Sequence, residues 1–132
     1  NKNIEITAKA CPLFVPIVEE NLINQKFTKA IARYYLKEIV ESNVDTLILG
    51  CTHYPLLIDV IREAVGKKTQ IISSSTFTAK HVQKALSQRK ILADNNNISS
   101  NKFYVSDKPK EFNYLAQTFL MDSPVNVKKI LL

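Results

Sequence analysis

The feature that most constrains the fold is the run DTLILG at residues 45–50, which is apolar without polar alternation from Leu47 to Leu49. A strand with one wet face alternates apolar and polar side chains, so this run predicts a short parallel strand buried on both faces. Directly before it, FTKAIARYYLKEIVES puts Phe27, Ile31, Tyr34 or Tyr35, Leu36, Ile39 and Val40 near helical spacing, with Lys and Glu on the other side. That is an amphipathic helix, which Asn43 ends. A helix laid directly before a buried strand implies an α/β protein.

The rhythm then repeats. HYPLLIDVIREAVG carries Leu56, Leu57, Val60, Ile61 and Ala64 at helical intervals, with Gly66 as a C-terminal stop. TQIIS reads as a second short strand and TFTAKHVQKALSQRK as another helix, so the middle of the chain is α-β-α-β-α. The polar, Asn-rich stretch ADNNNISSNK, from Ala93 to Lys102, predicts a mobile loop. KFYVSD follows as a strand, and KEFNYLAQTFL as a helix with Phe112, Leu115, Ala116 and Phe119 in one stripe and Pro109 near its start. The tail VNVKKILL reads as extended or frayed.

In an open parallel sheet, ligands gather beyond the carboxyl ends of the strands, where the next helix presents unpaired N–H groups. Cys51 stands at that place, in LILGCTHYP. Gly50 lets the backbone turn, Thr52 suits an N-cap or a ligand donor, and Pro55 fits a first helical turn. A thiol held there is favoured as thiolate, and His53 is near enough in sequence to assist it. The alternatives are a buried thiol at a strand end and a capping or core imidazole. Tyr54 reads as packing. Near the start, ACPLFVPIVEEN is an apolar loop bracketed by Pro12 and Pro16 and ending in Glu19 and Glu20, of which at most one points into a cleft.

Composition narrows the function classes. Two cysteines, Cys11 and Cys51, without further Cys or His at zinc-ligand spacing make neither a disulfide framework nor a metal site. The formal charge of +6 is scattered rather than clustered, which speaks against nucleic acid. No window is apolar enough to span a bilayer and the start NKNIEITAKA lacks the order of a secretory signal, so a cytoplasmic protein without membrane contact is expected.

Four stretches, ACPLFVPIVEE, DTLILGCTHYPLL, IISSSTFTAKHV and FYVSDKPKEF, occur in the order in which the cofactor-independent aspartate and glutamate racemase family has them, and GCTHYPLL is the most specific. The chain resembles the carboxyl-terminal half of that family. The resemblance implies a three-layer αβα domain with a short parallel sheet: residues 1–74 as the second of two similar domains, and 75–132 as a segment that returns to pack with the first. It implies proton transfer at the α-carbon of glutamate between two cysteines on opposite faces, with no cofactor and no metal, supplying D-glutamate for peptidoglycan. Cys51 takes the role of the second-domain cysteine, His53 aids its proton transfer, Thr52 with Cys51 holds the substrate, and Glu19, with Glu20 as alternative, assists the same side.

By the same resemblance Cys11 is structural. The first-domain motifs, an ACNTAS-like stretch and a DSG-like stretch, occur nowhere in the 132 residues. A fragment of a longer enzyme is therefore expected, inactive alone and self-associating into a homo-oligomer through apolar stripes. SSS at residues 73–75 stands where relatives tend to have DSG. An aspartate racemase half and a non-catalytic binding module that keeps the fold are the alternatives.

Overall fold

The computed structural model describes residues 4–93, 101–120 and 125–131. These fall into two compact units, Asn1–Lys90 and Ile91–Leu132.

The first unit begins with helix α1, Phe14–Glu19, where the sequence suggested a proline-bracketed loop. Pro16 is accommodated because the first N–H groups of a helix have no partner inside it, so a missing donor there costs nothing. Helix α2, Lys26–Glu41, buries Thr28, Ala32, Tyr35, Leu36 and Ile39. Of the two candidate tyrosines Tyr35 is the inward one, while Tyr34, Phe27 and Val40 stay exposed at the margins of the stripe. Asn43, at φ 50°, turns the chain after the helix end.

Strand β1, Thr46–Leu49, pairs in parallel with β2, Gln70–Ser73, and Leu47 lies opposite Ile71. Between them runs a tight 3-10 helix, Tyr54–Leu57, continued by α3, Ile58–Val65, which Gly66 closes at φ 79°. Leu47, Leu49 and Ile71 join the core under α2 and α3. The expectation of a strand buried on both faces fails at Ile48, which is 68% exposed. Its side chain alternates away from the helices, and among the described residues the sheet at that point has two strands. Helix α4, Ser74–Gln88, opens two residues earlier than the sequence suggested and buries none of its side chains. At its start, Ser73 Oγ and Ser75 Oγ lie 2.7 Å apart.

The core is one cluster in which Phe14, Val18, Leu57 and Ile61 are sealed from solvent. Thr28 is equally buried, and its hydroxyl donates to the Leu22 carbonyl at 2.6 Å, tying the loop between α1 and α2 to the second helix. Thus α1 is held against the rest of the unit through its buried side chains Phe14, Ile17 and Val18.

In the second unit, β3, Phe103–Val105, pairs in parallel with β4, Val127–Lys129, and α5, Pro109–Phe119, lies between them in sequence. Within the tail read as extended or frayed, Val127–Lys129 is a paired strand, with Lys129 Nζ on Asp107 Oδ1 at 2.9 Å. In the α5 stripe Ala116 is buried, whereas Phe112 and Phe119 remain exposed. Most of the Asn-rich stretch read as a loop lies outside the described residues. The α/β class with short parallel sheets is as expected.

Candidate active site

At the carboxyl end of β1, Gly50 leads into an irregular turn, Cys51–His53, before the 3-10 helix. The Cys51 carbonyl accepts the Tyr54 N–H at 3.3 Å and the His53 carbonyl accepts the Leu56 N–H at 3.1 Å, so the turn is wound tightly. Pro55 sits in the first turn of this helix, as the sequence suggested. Two expectations change. The N-cap position belongs to His53 rather than Thr52, and α3 proper opens only at Ile58 because the Tyr54–Leu57 stretch winds as a 3-10 helix first.

The winding folds three side chains toward one another. Cys51 Sγ lies 3.9 Å from His53 Nδ1, and Thr52 Oγ1 lies 3.5 Å from the same nitrogen. The other ring nitrogen, Nε2, lies 3.3 Å from Glu19 Oε1. It is Glu19, the last residue of α1, that reaches the ring; Glu20 follows the helix end and is exposed. The His53 side chain is 25% exposed and that of Glu19 is 50% exposed. Solvent therefore reaches the carboxylate while the imidazole is largely enclosed.

This geometry has a chemical sense. When Nε2–H is donated to Glu19, Nδ1 carries the lone pair and faces the thiol. A proton can then move between Sγ and Nδ1, with the carboxylate compensating the positive charge that forms on the ring. Cys51, His53, Glu19 and Thr52 are thus brought together, although thirty-odd residues separate α1 from the turn in sequence.

Cys11 is a different thiol. It is 5% exposed and belongs to the core cluster, and burial pushes its pKa up from the ordinary value, an effect Lys9 partly opposes. Tyr54 is also pushed up, first by burial and then by the nearby thiols. Its hydroxyl donates to the Cys11 carbonyl at 3.4 Å, and its ring stands edge-on to Phe14. The role of Tyr54 in joining the turn to α1 has no signature in the sequence, because no periodicity relates residues 14 and 54.

A raised thiol has a consequence for stability. The unfolded chain begins to lose the Cys11 proton near its ordinary value of 9.0, the folded chain only above that. The unfolded state therefore binds fewer protons as pH rises through this window, and stability falls. Urea unfolding at pH 7 and at pH 10 should show a lower midpoint at the higher pH, and Cys11→Ala should reduce the difference.

No family model matches the chain. It is 38% identical over 120 residues to the glutamate racemase of Geobacter metallireducens, covering 91% of this chain and 44% of that protein. Against the glutamate racemase of Corynebacterium diphtheriae it is 39% identical over 127 residues, covering 96% and 48%. Among solved structures, a glutamate racemase isoform from Bacillus anthracis superposes with a TM-score of 0.86 at 31% identity, over all of this chain and 49% of that one. The Francisella tularensis glutamate racemase, solved in complex with D-glutamate, gives 0.83 at 29% identity, over 100% and 48%. The chain spans about half the length of the relatives it matches.

Proposed function

We propose that this chain, which matches glutamate racemases over about half of their length, belongs to their family and is the carboxyl-terminal half of an enzyme that interconverts L- and D-glutamate by proton transfer at the α-carbon. The observation that carries this reading is the line Glu19–His53–Cys51, with gaps of 3.3 Å and 3.9 Å.

In this reading the Cys51 thiolate takes the α-proton from one face of the substrate. The carbon–hydrogen bond breaks, its electron pair spreads toward the substrate carboxylate, and an S–H bond forms. In the opposite direction the Cys51 thiol returns the proton to the same face. His53 sets the protonation state of the thiol between these steps, and Glu19 steadies the imidazole. Thr52, exposed beside Cys51, shares in holding the substrate. The opposite face needs a second acid and base. Cys11 does not supply it, being 5% exposed, so the second cysteine comes from outside these 132 residues. Supply of D-glutamate for peptidoglycan in the cytoplasm, and self-association through apolar side chains such as Phe112 and Phe119, belong to the same proposal. The fragment alone is inactive in this reading.

A charge partner removed from the imidazole should reach the thiol. Glu19→Gln is expected to slow alkylation of Cys51 by iodoacetamide at neutral pH by about tenfold, through loss of the charge-assisted hydrogen bond to the ring. Glu20→Gln should leave the rate unchanged. Rates followed by mass spectrometry of the quenched chain decide the matter; an unaffected Glu19→Gln variant would remove the relay.

A further inference from the structure

Glu19 is useful to His53 only if α1 is held in place, yet α1 has six residues and no side-chain cap at its start. A helix that short is not stable by its own hydrogen bonds. Burial of Phe14, Ile17 and Val18 holds it on the core, and three aromatic side chains tie its start to its neighbours. Phe14, the first residue of α1, stands edge-on to Tyr35 of α2, with ring centroids 5.5 Å apart and planes at 80°, and edge-on to Tyr54, at 5.3 Å and 88°. The hydroxyls of the two tyrosines reach the turn that enters the helix. Tyr54 donates to the Cys11 carbonyl and Tyr35 accepts the Leu13 N–H, each at 3.4 Å.

The two hydrogen bonds are long and therefore weak, so of the contacts made by the tyrosines the edge-on rings count for more than the hydroxyls. Tyr54 differs from Tyr35 in one respect. It directly follows His53, so the residue that grips α1 is bonded to the residue that Glu19 must reach. Any shift of α1 relative to the turn opens the 3.3 Å gap between Nε2 and the carboxylate.

We propose that Tyr54 is a positioning residue: its ring against Phe14 and its hydroxyl on the Cys11 carbonyl lock α1 to the Cys51–His53 turn and so keep Glu19 within reach of His53. This rests on the relay proposed above and deepens it, giving the aromatic residue after the histidine a part in the chemistry without any contact with substrate.

The test is a two-by-two cycle on the full chain, reading the alkylation rate of Cys51 by iodoacetamide across pH 6 to 9 for the unsubstituted protein, Tyr54→Leu, Glu19→Gln and the pair. Tyr54→Leu should slow the reaction by about as much as Glu19→Gln, roughly tenfold near neutral pH, and should add almost nothing once Glu19 is already Gln. Tyr54→Phe, which keeps the ring edge, should restore most of the rate. Circular dichroism and a urea midpoint select the conditions under which every variant is folded. If Tyr54→Leu slows the reaction equally in both backgrounds, it acts on Cys51 and His53 directly, and the positioning role is overturned. The role is likewise overturned if Tyr54→Leu has no effect while Glu19→Gln does. If instead Glu19→Gln itself changes nothing, the relay fails, and the outcome is distinct from either of these.

Discussion

In the folded chain at neutral pH, Cys51 is expected to react with iodoacetamide roughly a hundredfold faster than Cys11, because a buried thiol must wait for an opening event and each ~1.4 kcal/mol of opening free energy slows it about tenfold. Cys11 is 5% exposed, lies in the main core cluster, and is further held neutral by its burial. Cys51 is partly exposed at the end of β1 with an imidazole nitrogen 3.9 Å from its sulfur. Peptide mapping of samples quenched over time gives both rates from one experiment, and unfolding in urea should bring them together. Comparable rates in the folded chain, or Cys11 reacting first, would mean that the two environments are not as different as their burial says.

Phe14→Ala should be the most damaging single truncation in the α1 region. The side chain is 1% exposed and meets the rings of Tyr35 and Tyr54 edge-on. Losing a buried Phe costs about 3–5 kcal/mol through lost transfer energy and the cavity left behind, and a domain of this kind holds only about 5–15 kcal/mol in all. Phe27→Ala is the internal comparison, since Phe27 is 48% exposed on α2 and its loss should cost less than about 1 kcal/mol. Urea unfolding of both variants separates them. A Phe14→Ala midpoint close to that of the unsubstituted chain would show that α1 does not depend on the aromatic cluster, and the positioning role of Tyr54 would lose its basis.

The helix–strand alternation was legible because local pattern and tertiary demand agree over residues 26–73. α2 reads from its apolar spacing, β1 from its unbroken apolar run, and Gly66 from the positive φ that ends α3. The proline-flanked stretch at 12–16 was misread as a loop because proline there occupies a helix first turn, where its missing donor is harmless, and composition alone does not separate the two cases. Ile48 was misread because an apolar run does not say how many layers cover it. The tail at residues 127–129 forms a strand through pairing with β3, a non-local contact with no local signature.

The site divides the same way. Cys51, Thr52 and His53 could be found together because the turn places neighbours in sequence side by side. Glu19 was favoured over Glu20 by the resemblance alone; the residues left both open, because the choice turns on the rotation of α1, which the core residues Phe14, Ile17 and Val18 set by turning one face inward. Tyr54 was read as packing, which it is; that its packing joins the helix bearing Glu19 to the turn bearing His53 is visible only in three dimensions.

The most direct measurement is deuterium exchange and enantiomer conversion of glutamate in D2O by the chain completed with the remaining half of a glutamate racemase relative, once that protein racemises glutamate. Cys51→Ser should lower conversion in both directions by about a thousandfold or more, the scale on which an acid–base group contributes, while Cys11→Ser in the same background stays within about tenfold, a change of stability rather than of chemistry. Conversion that survives Cys51→Ser, or that disappears equally in a folded Cys11→Ser variant, would contradict the assignment of the Cys51–His53–Glu19 line to the proton transfer.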